Sequence, residues 1–493
     1  MIYNFNLGIG WASSGVEYAQ IYRARMFRNI GVDAKFVFTD MFPQENMEHM
    51  TKNIGFLDSE VIWLYTFFTD FKTAPVTYTL SDLEKTFSNM EYTKSREGKI
   101  CRYVFGGSNN FYTAYMVNDH DDFVHRVEMV SNGCLIRKDY FTYGRVYSEY
   151  YAPLDNAAHL YHRRFFNENG SVAYEEIIDD DRVMYKFKDK ILCSKEEFVG
   201  YMVSQLHLTK DDVVLIDRST DIGQSILMNC KPARVGTVVH ADHFSEKDTN
   251  DDYILWNNFY EYEFNMHKHI DFYICSTQAQ SDLMVQQFEK YYGVTPVVYT
   301  IPVGSLPELK YPKENRKPFS LITASRLASE KHVDWICKAV IQARSEVPEL
   351  SLDIYGEGGE RSKLETIIRE NNASSYIHLM GQHDLSEVYQ NYEAYIAGST
   401  SEGFGLTLME AVGGGLPIIG FDVRYGNPTF IRDGENGYLI DLPEEDKDKI
   451  EALRKGIVDL FKQNLEKCHS VSYLVAKDFL TSNVQEKWRE AVC

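Results

Sequence analysis

Short, almost wholly apolar runs alternate with helical patterns in the first part of this chain of 493 residues. Runs of this kind are typical of parallel strands that are covered on both faces. A helical pattern over 16–30 ends at Gly31, in the position of a C-terminal glycine cap. The predicted strands lie at 2–6, 34–39, 212–217, 236–240 and 270–275. The sequence therefore predicts one α/β domain made from residues 1–74 and 191–303.

Residues 75–190 follow a different pattern, in which short alternating runs are separated by turn clusters such as 106–110. Alternation with a period of two, bounded by Gly and Asn, is typical of antiparallel strands joined by hairpins. We therefore predict a β-meander inserted into the first domain. Its runs are rich in aromatic residues, namely Tyr112, Tyr115, Tyr140, Phe141, Tyr147, Tyr150 and Tyr151. Some of them will form its own core, but the edge of such a sheet can also pair with another chain. We expect the insertion to bind a partner or an acceptor.

A second α/β domain is predicted over residues 304–470. Its strands are expected at 319–324, 350–355, 376–379 and 394–397, with helical patterns between them. This regular alternation predicts a parallel, doubly wound sheet. A final helical stretch, from Ser472 to Glu490, occupies most of a C-terminal segment over 471–493.

The charge balance argues against nucleic acid as a partner of the whole surface. The chain has 51 basic and 72 acidic residues, a formal net charge of −21, so its surface as a whole is not suited to nucleic acid. Any polyanion must meet a local basic pocket. The eight cysteines show no C-x-x-C spacing, and no apolar stretch has the length of a membrane span. These features predict a cytoplasmic protein. Peripheral association with the inner face of the cell membrane is compatible with this prediction.

The most informative segment runs from Ser401 to Gly420. Glu402 and Glu410 stand eight positions apart, and Gly403-Phe404-Gly405 precedes a helical pattern over 406–412. Such a layout leaves main-chain N–H groups at a helix N-terminus, where the helix dipole favours an anion. Glu410 falls about two turns into that helix, on roughly the same face as the first carboxylate. A diphosphate between two hydroxyl-rich rings would need this arrangement.

A second informative segment, 324–331, follows a predicted strand. Arg326 and Lys331 would lie beyond the carboxyl end of this strand, where ligands bind in open α/β sheets. Two cations there would neutralise a pyrophosphate and stabilise the charge that grows as a sugar bond breaks. Taken alone, the pair would more simply be interpreted as a surface Arg and Lys at a helix start. The two downstream glutamates favour the phosphate site.

Two glycine-rich turns carry a weaker signal. The turn after the first strand contains Gly8, Gly10, Ser14 and Gly15, without the G-x-G-x-x-G spacing of a dinucleotide site. Glycine there would let the main chain approach a ligand closely, although a purely conformational turn is the alternative. The turn with Gly356 and Gly358 is more simply interpreted as a tight turn than as a phosphate loop.

His240 ends a predicted strand and could hydrogen-bond a sugar hydroxyl. His240, Asp242 and His243 could also suggest a metal triad, but three ligands within four residues fit poorly on one strand. Asp119-His-Asp121 is a D-x-D motif, yet it lies in the β insertion, away from any nucleotide signature. The acidic runs at 179–181 and 251–252 are interpreted as solvated turns. We predict no catalytic metal.

The motif R-x-x-x-E-K at 326–331 and the paired glutamates resemble the signature of retaining glycosyltransferases of family four. The resemblance covers the whole chain. It implies the GT-B fold, which consists of two doubly wound Rossmann-like domains, and a final helix that crosses back to the first domain. The predicted fold class is therefore α/β, of the GT-B type, with the β-meander inserted in the first domain.

The same resemblance implies roles for individual residues. Glu402 would hold the hydroxyls of the donor sugar and Glu410 those of the ribose, while Arg326 and Lys331 would bind the phosphates. The candidate catalytic residues are Glu402, Lys331, Arg326 and His240. The candidate nucleotide-sugar-binding residues add Ser14, Gly15, Val16 and Glu17 of the first turn, main-chain groups of Gln382 and His383 for the base, and Gly403, Phe404, Gly405 and Glu410.

Two further features narrow the resemblance. Arg424-Tyr-Gly426 and the large insertion are similar to those of two groups in the family. One is the GtfA group of the accessory Sec system, which starts the O-glycosylation of serine-rich-repeat adhesins; the other glycosylates wall teichoic acid. The N-terminal stretches 3–6 and 10–17 are more similar to the GtfA group.

The GtfA resemblance implies transfer of N-acetylglucosamine from UDP-GlcNAc to Ser or Thr of an adhesin polypeptide, with retention and without metal or another cofactor. It also implies a hetero-oligomer with a homologous co-subunit, GtfB. A teichoic acid glycosyltransferase and a non-catalytic co-subunit that binds glycosylated polypeptide are the alternatives. The residues themselves leave N-acetylglucosamine and glucose equally open.

Overall fold

The computed structural model describes residues 1–9, 15–43, 45–87, 89–107 and 109–493. Its strands, in chain order, are β1 (Ile2–Asn6), β2 (Ala34–Phe38), β3 (Val61–Trp63), β4 (Tyr92–Glu97), β5 (Ile100–Phe105), β6 (Phe111–Met116), β7 (Val124–Ser131), β8 (Cys134–Phe141), β9 (Arg145–Leu154), β10 (Ala157–Phe166), β11 (Val172–Asp179), β12 (Arg182–Lys186), β13 (Ile191–Leu192), β14 (Val213–Ile216), β15 (Arg234–Val239), β16 (Phe244–Ser245), β17 (Leu255–Trp256), β18 (Phe272–Cys275), β19 (Val298–Thr300), β20 (Ser320–Ala324), β21 (Ser351–Tyr355), β22 (Ile377–Gly381), β23 (Ala394–Ile396), β24 (Ile418–Phe421) and β25 (Gly437–Ile440).

The α-helices are α1 (Gly15–Ile30), α2 (Met47–Ile54), α3 (Leu64–Phe67), α4 (Leu80–Lys85), α5 (Lys195–Gln205), α6 (Gly223–Asn229), α7 (Glu261–Asn265), α8 (Gln278–Tyr292), α9 (Val333–Ala343), α10 (Arg361–Glu370), α11 (Leu406–Gly413), α12 (Gly426–Phe430), α13 (Asp446–Phe461), α14 (Leu465–Ala476) and α15 (Thr481–Val492). Short 3₁₀ helices lie at Asp58–Glu60, His267–His269, Ser329–Lys331, Tyr389–Asn391 and Lys477–Phe479. Each strand predicted for the two α/β domains is present, and its ends lie within two residues of the prediction.

The chain forms two compact units. The first comprises residues 1–24, 32–237 and 258–271, and the second comprises 25–31, 238–257 and 272–493. Within the first unit, parallel strands follow the order β15-β14-β1-β2-β3. Their residues are buried almost throughout, as the continuous apolar runs predicted.

A ten-stranded antiparallel sheet dominates the rest of the first unit. Its strands pair in sequence order from β4 to β13, so that each strand is joined to its neighbour by a hairpin. The predicted β-meander is therefore confirmed. Of the seven aromatic residues noted in the sequence, Tyr140, Phe141 and Tyr147 are buried and the other four are half-buried.

The second unit contains a six-stranded parallel sheet of order β22-β21-β20-β23-β24-β25. Successive residues of β20 point to opposite faces, because strand side chains alternate with a period of two. Leu321 packs in a core with residues of α9 and α13, whereas Ile322 packs in a second core with residues of α11. The sheet is thus covered on both faces, which confirms the doubly wound prediction.

The single helix predicted over 472–490 is wrong. The structure has two helices, α14 and α15, separated by residues 477–480. At this break the carbonyl of Phe479 accepts a hydrogen bond from the N–H of Leu306 (2.8 Å), and the N–H of Thr481 donates to the carbonyl of Leu306 (2.9 Å). The helix is interrupted because the chain here pairs with Leu306 as a short parallel bridge. The predicted packing of this segment on the first domain stays a prediction.

Among the described residues, none of the helices combines the length and the apolar character that crossing a bilayer requires.

Candidate functional site

The strand order of the six-stranded sheet reverses between β20 and β23. From β20 the chain proceeds to β21 and β22 on one side, and it then returns to β23, β24 and β25 on the other. In open parallel sheets, ligands bind beyond the carboxyl ends of the strands at this kind of switch point. The loops that follow β20 and β23 contain Lys331 and Glu402, respectively.

Lys331 ends a 3₁₀ turn over Ser329–Lys331, and His332 follows in the left-handed conformation (φ 44°) before α9 begins. This turn packs on the loop after β23. A Cβ atom at Gly398 would lie only 3.0 Å from the carbonyl oxygen of Lys331 and 2.8 Å from that of His332. Glycine at 398 therefore lets the two loops approach closely, which brings Lys331 to the switch point.

Lys331 and Glu402, 71 positions apart in sequence, form an ion pair. The Nζ atom of Lys331 donates to Oε2 of Glu402 at 2.6 Å, and the two side chains are 20% and 21% exposed. Partial burial weakens the screening of this pair by solvent. An ammonium group has three N–H donors, so Lys331 can bind a second anionic group while it contacts Glu402.

Arg326 lies on the same loop but is 81% exposed, and its Nη2 atom is 3.3 Å from Oε1 of Glu330 in the same turn. Such an exposed pair contributes little to stability. The guanidinium is thus accessible to a ligand at the edge of the sheet. The structure places Arg326 and Lys331 on one loop, as the motif indicated.

The N-terminus of α11 lies next to Glu402. Gly405 is its N-cap, with φ 87° and ψ 70°, and no side chain caps the helix. Phe404 is buried against Phe430, so the main chain around Gly405 is firmly held. The positive end of the helix dipole favours an anion here.

Tyr395 connects this helix to the first loop. Its hydroxyl donates to the carbonyl of Ala324, at the end of β20 (2.9 Å), and is 3.0 Å from Oγ1 of Thr407 in the first turn of α11. The tyrosine is buried in β23. Sequence reasoning missed Tyr395, since nothing in its local pattern distinguishes it from an ordinary core residue of a strand.

Glu410 lies in α11, and its Oε2 atom accepts a hydrogen bond from the hydroxyl of Tyr389 (3.0 Å). Burial raises the pKa of Glu410, and the bond from Tyr389 opposes this shift. A carboxylate held in this way is a suitable acceptor for sugar hydroxyls. Tyr389 was also missed, because its position before β23 gives no sign of its contact with α11.

Gly356 and Gly358 allow close packing of two loops. A Cβ atom at Gly356 would overlap the carbonyl oxygen of Ser325, and one at Gly358 would overlap that of Leu327; both residues have positive φ (127° and 159°). The main chains also pair, since the N–H of Leu327 donates to the carbonyl of Glu357 at 3.0 Å. The tight-turn interpretation is incomplete, because these glycines also support the loop that carries Arg326 and Lys331.

The remaining predicted residues of the second unit lie in two segments. Gln382 and His383 are exposed immediately after β22, and Nε2 of His383 is 2.8 Å from the carbonyl oxygen of Met380. His240 is half-buried just after β15, and its carbonyl oxygen lies 3.7 Å from the position that a Cβ of Gly403 would take. The structure thus brings the main chain at His240 next to the Glu402 loop.

The predicted residues of the first unit begin α1. Gly15 is exposed, Val16 is buried, and Glu17 is buried with its Oε1 atom 3.5 Å from Nη1 of Arg218. Ser14 and Gly10 lie outside the described residues. The roles assigned to this turn stay predictions.

The D-x-D motif lies in an exposed turn between β6 and β7. The Oδ1 atom of Asn118 accepts hydrogen bonds from the N–H groups of His120 and Asp121 (both 2.8 Å), and its Nδ2 atom donates to Oδ2 of Asp121 (2.7 Å). The carboxylate of Asp121 thus stabilises the turn itself. Within the described ranges, no group of three or more His, Cys, Asp or Glu residues is arranged to hold a metal ion.

Two known sequence families match separate segments of the chain. The sequence family described as "GtfA extended beta-sheet domain" matches residues 93–189, and "Glycosyl transferases group 1" matches residues 308–474. The UDP-N-acetylglucosamine–peptide N-acetylglucosaminyltransferase GtfA subunit of Streptococcus agalactiae is 52% identical, over 99% of this chain and 97% of that protein.

Two solved structures are also similar over the whole chain. A chain of a GtfA/B complex has a TM-score of 0.96 and 53% identity, with 100% of this chain and 99% of that chain covered. The pneumococcal O-GlcNAc transferase GtfA, solved in complex with UDP and GlcNAc, has a TM-score of 0.86 and 50% identity, with 100% and 98% covered.

Proposed function

This chain belongs to the GtfA family of group 1 glycosyl transferases, as the sequence predicted, and we propose that it transfers N-acetylglucosamine from UDP-GlcNAc to Ser or Thr hydroxyls of a polypeptide. The observation that carries the proposal is the contact between Lys331 and Glu402, 2.6 Å long, at the switch point of the second sheet. Around it stand an exposed arginine and the N-terminus of α11. The GtfA subunits that are about half identical to this chain are named for the same activity.

The site supplies separate groups for each part of the donor. Arg326, Lys331 and the N-terminus of α11 would bind the diphosphate, because all three present positive charge to it. Glu402 would accept hydrogen bonds from the sugar hydroxyls, and Glu410 from the ribose. The main chain at Gln382 and His383 would contact the base. His240 and the first-unit residues Ser14, Gly15, Val16 and Glu17 would complete the site.

Retention of configuration follows if the acceptor hydroxyl attacks from the face that the diphosphate leaves. In this front-side reaction the bond between the anomeric carbon and the diphosphate oxygen breaks, and a bond to the serine or threonine oxygen forms. The hydroxyl proton passes to the departing phosphate. Arg326 and Lys331 stabilise the negative charge that develops on this leaving group, so no enzyme nucleophile is required.

The reaction needs no metal in this proposal, because Arg326, Lys331 and the α11 N-terminus supply the countercharge to the diphosphate. Transfer measured in EDTA should equal transfer in buffer alone. Activity that disappears in EDTA and returns with manganese would overturn this part of the proposal.

The acceptor is a serine-rich-repeat adhesin polypeptide, and the protein works in a hetero-oligomer with a homologous co-subunit, GtfB, in the cytoplasm or at the inner face of the membrane. The similarity to a chain of a GtfA/B complex supports the co-subunit. The ten-stranded sheet is the candidate platform for it, since residues 93–189 match a domain described as the extended β-sheet of GtfA.

A panel of donors and acceptors tests the proposal. The protein, produced with its co-subunit, is incubated with radiolabelled UDP-GlcNAc or UDP-glucose and with a serine-rich peptide or a teichoic acid polymer. We expect label from UDP-GlcNAc on the peptide. Label on the teichoic polymer would indicate the alternative transferase, and peptide binding without any transfer would indicate a non-catalytic subunit.

A further inference from the structure

Arg424-Tyr425-Gly426 contacts two separate segments of the second unit. These residues lie after β24 and at the start of α12. Their side chains reach the segment that follows β15, residues 240–246, while their main chain reaches Glu402. The function proposed above assigns no role to this tripeptide.

Two side-chain contacts fix the tripeptide to the segment 240–246. The hydroxyl of Tyr425 donates to Oδ1 of Asp242 at 2.6 Å, and Nη2 of Arg424 lies 2.7 Å from Oε2 of Glu246. Tyr425 is only 1% exposed. A hydrogen bond from a buried phenol to a carboxylate is charge-assisted and directional, so its loss has a measurable cost.

The buried His243 lies next to the same hydroxyl of Tyr425. Burial lowers the pKa of His243 to about 4, so the imidazole is neutral at physiological pH. Its Nε2 atom is 2.7 Å from Oε1 of Gln287, which assigns the ring proton to Nε2. Nδ1 is then unprotonated and lies 3.3 Å from the hydroxyl oxygen of Tyr425. The single phenol proton goes to the shorter contact with Asp242, so Asp242 is the acceptor that holds this hydroxyl.

The main chain of the same tripeptide holds Glu402. The N–H groups of Tyr425 and Gly426 both donate to the carbonyl of Glu402 (2.6 and 2.7 Å), and the N–H of Glu402 donates to the carbonyl of Arg424 (3.1 Å). A Cβ atom at Gly426 would overlap the carbonyl of Phe404. The backbone of Glu402 therefore has little freedom as long as Tyr425 stays in place.

We propose that Tyr425 is a positioning residue, which fixes the carboxylate-bearing loop at Glu402 relative to the segment that begins with His240. Tyr425 binds Glu402 through its main chain and Asp242 through its hydroxyl, and Asp242 is two residues from His240. The effect on sugar transfer rests on the proposed function, whereas the connection between the two segments does not.

Replacing Tyr425 by Phe removes only the hydroxyl. We expect kcat for transfer to fall about 10–100-fold, because a displacement of catalytic groups by about 1 Å can have an effect of this size. KM for UDP-GlcNAc should change less than about threefold, since the diphosphate is bound by Arg326 and Lys331.

Variants of Asp242 test the other end of the hydrogen bond. Asp242→Asn keeps an acceptor oxygen and should retain most of the activity, whereas Asp242→Ala should resemble Tyr425→Phe. The double variant Tyr425→Phe/Asp242→Ala should be no worse than either single variant.

Tyr473→Phe is the matched control, because it removes a tyrosine hydroxyl in the same unit that donates to the carbonyl of Lys310 (2.7 Å). Its kcat should stay within about twofold of the unchanged protein. A Tyr425→Phe protein with unchanged kcat, or one whose loss of activity only follows a loss of folded protein, would overturn the proposal.

Amide hydrogen exchange gives a second readout that does not depend on activity. Tyr425→Phe should accelerate exchange both at 240–246 and at 402–405, and Tyr473→Phe should accelerate neither. If the unchanged protein transfers no sugar but the variant loosens both segments, the proposed function fails and the positioning role stands. If exchange at 402–405 is unchanged, the positioning role fails whatever the activity.

Discussion

The carboxyl edge of the second unit's sheet and the ten-stranded sheet of the first unit are held together in different ways. At the carboxyl edge, main-chain groups touch directly at Gly356, Gly358, Gly398 and Gly426, where no Cβ atom has room. In the ten-stranded sheet the main chains pair as hydrogen-bonded strands, and clusters of side chains add to this pairing. Arg163 binds Glu149 (3.0 Å) and Glu176 (2.8 Å).

Aromatic stacking adds to the side-chain network of the first unit. The rings of Tyr140 and Tyr147 lie 4.3 Å apart, and those of Phe165 and Tyr174 lie 4.5 Å apart, both nearly parallel. Such pairs each contribute about 0.5–1.5 kcal/mol beyond the area that they bury. We infer a division of labour, in which close main-chain packing fixes the candidate site and buried side-chain clusters stabilise the ten-stranded sheet.

The largest effect is expected from Arg163→Ala in the ten-stranded sheet. The variant leaves the buried carboxylates of Glu149 and Glu176 without this cation, and breaking such a cluster costs about 3–5 kcal/mol of stability. UDP binding, measured by calorimetry, should change less than about threefold, because the groups proposed to bind the diphosphate, the ribose and the base lie in the second unit. Arg164→Ala is the control, since Arg164 is 43% exposed and should lose less than about 1 kcal/mol. Loss of UDP binding in a folded Arg163→Ala protein would contradict the division of labour.

Lys331→Ala should lower turnover and leave the stability of the fold nearly unchanged. Removing one group that stabilises transition-state charge typically lowers turnover about 100–1000-fold, while the melting temperature should change little because the carboxylate of Glu402, 21% exposed, remains accessible to water. Steady-state transfer from UDP-GlcNAc measures this effect. Lys338→Ala removes a more exposed lysine that pairs with Asp334, and its turnover should be unchanged. Near-normal turnover of Lys331→Ala would refute the site assignment.

Gly356→Ala tests the main-chain packing. The left-handed region at φ 127° costs a residue with a side chain about 1–3 kcal/mol, and the loop after β20 must also move. Turnover should therefore fall about tenfold or more while the first unit keeps its stability. Gly359→Ala is the neighbouring control, because its Cβ would meet no described atom within 4 Å. Equal turnover of the two variants would argue against close packing as the reason for glycine at 356.

The smallest effects are expected in the pH dependence of stability. Burial raises the pKa of Glu410, so the folded state binds its proton more tightly than the unfolded state. Its contribution to stability is present below the ordinary carboxyl pKa and is lost as pH rises through the folded value. Glu410→Gln should therefore be more stable than the unchanged protein at neutral pH, and the difference should vanish in acid.

Asp82 in the first unit should show the reverse sign. Hydrogen bonds from Lys85 and Thr79 lower its pKa to about 2, so its stabilising contribution is present above the ordinary Asp pKa and is lost as pH falls toward about 2. Asp82→Asn should be destabilised at neutral pH and match the unchanged protein near that lower value. Thermal unfolding followed across this range would detect both trends. Parallel curves for the two variants would contradict the opposed signs.

Much of this architecture could be predicted from sequence, because buried parallel strands are short apolar runs and hairpins alternate with a period of two. Lys331 and Glu402 could be assigned to one donor site, but their ion pair was not predicted. The reason for Gly356 could not be predicted, since it depends on the carbonyl of Ser325 from a different loop. The contact between Tyr425 and Asp242 joins residues 183 positions apart, and the break before α15 depends on Leu306. Contacts of this kind leave no local pattern.

The most direct test of the central claim is the intact mass of a serine-rich peptide after incubation with UDP-GlcNAc, the co-subunit and either the unchanged protein or Glu402→Gln. The unchanged protein should add N-acetylhexosamine to the peptide. Glu402→Gln should add almost none while it still binds UDP, because the carboxamide cannot replace the charged carboxylate that holds the sugar hydroxyls. Equal modification of the peptide by the two proteins would contradict the assignment of this site.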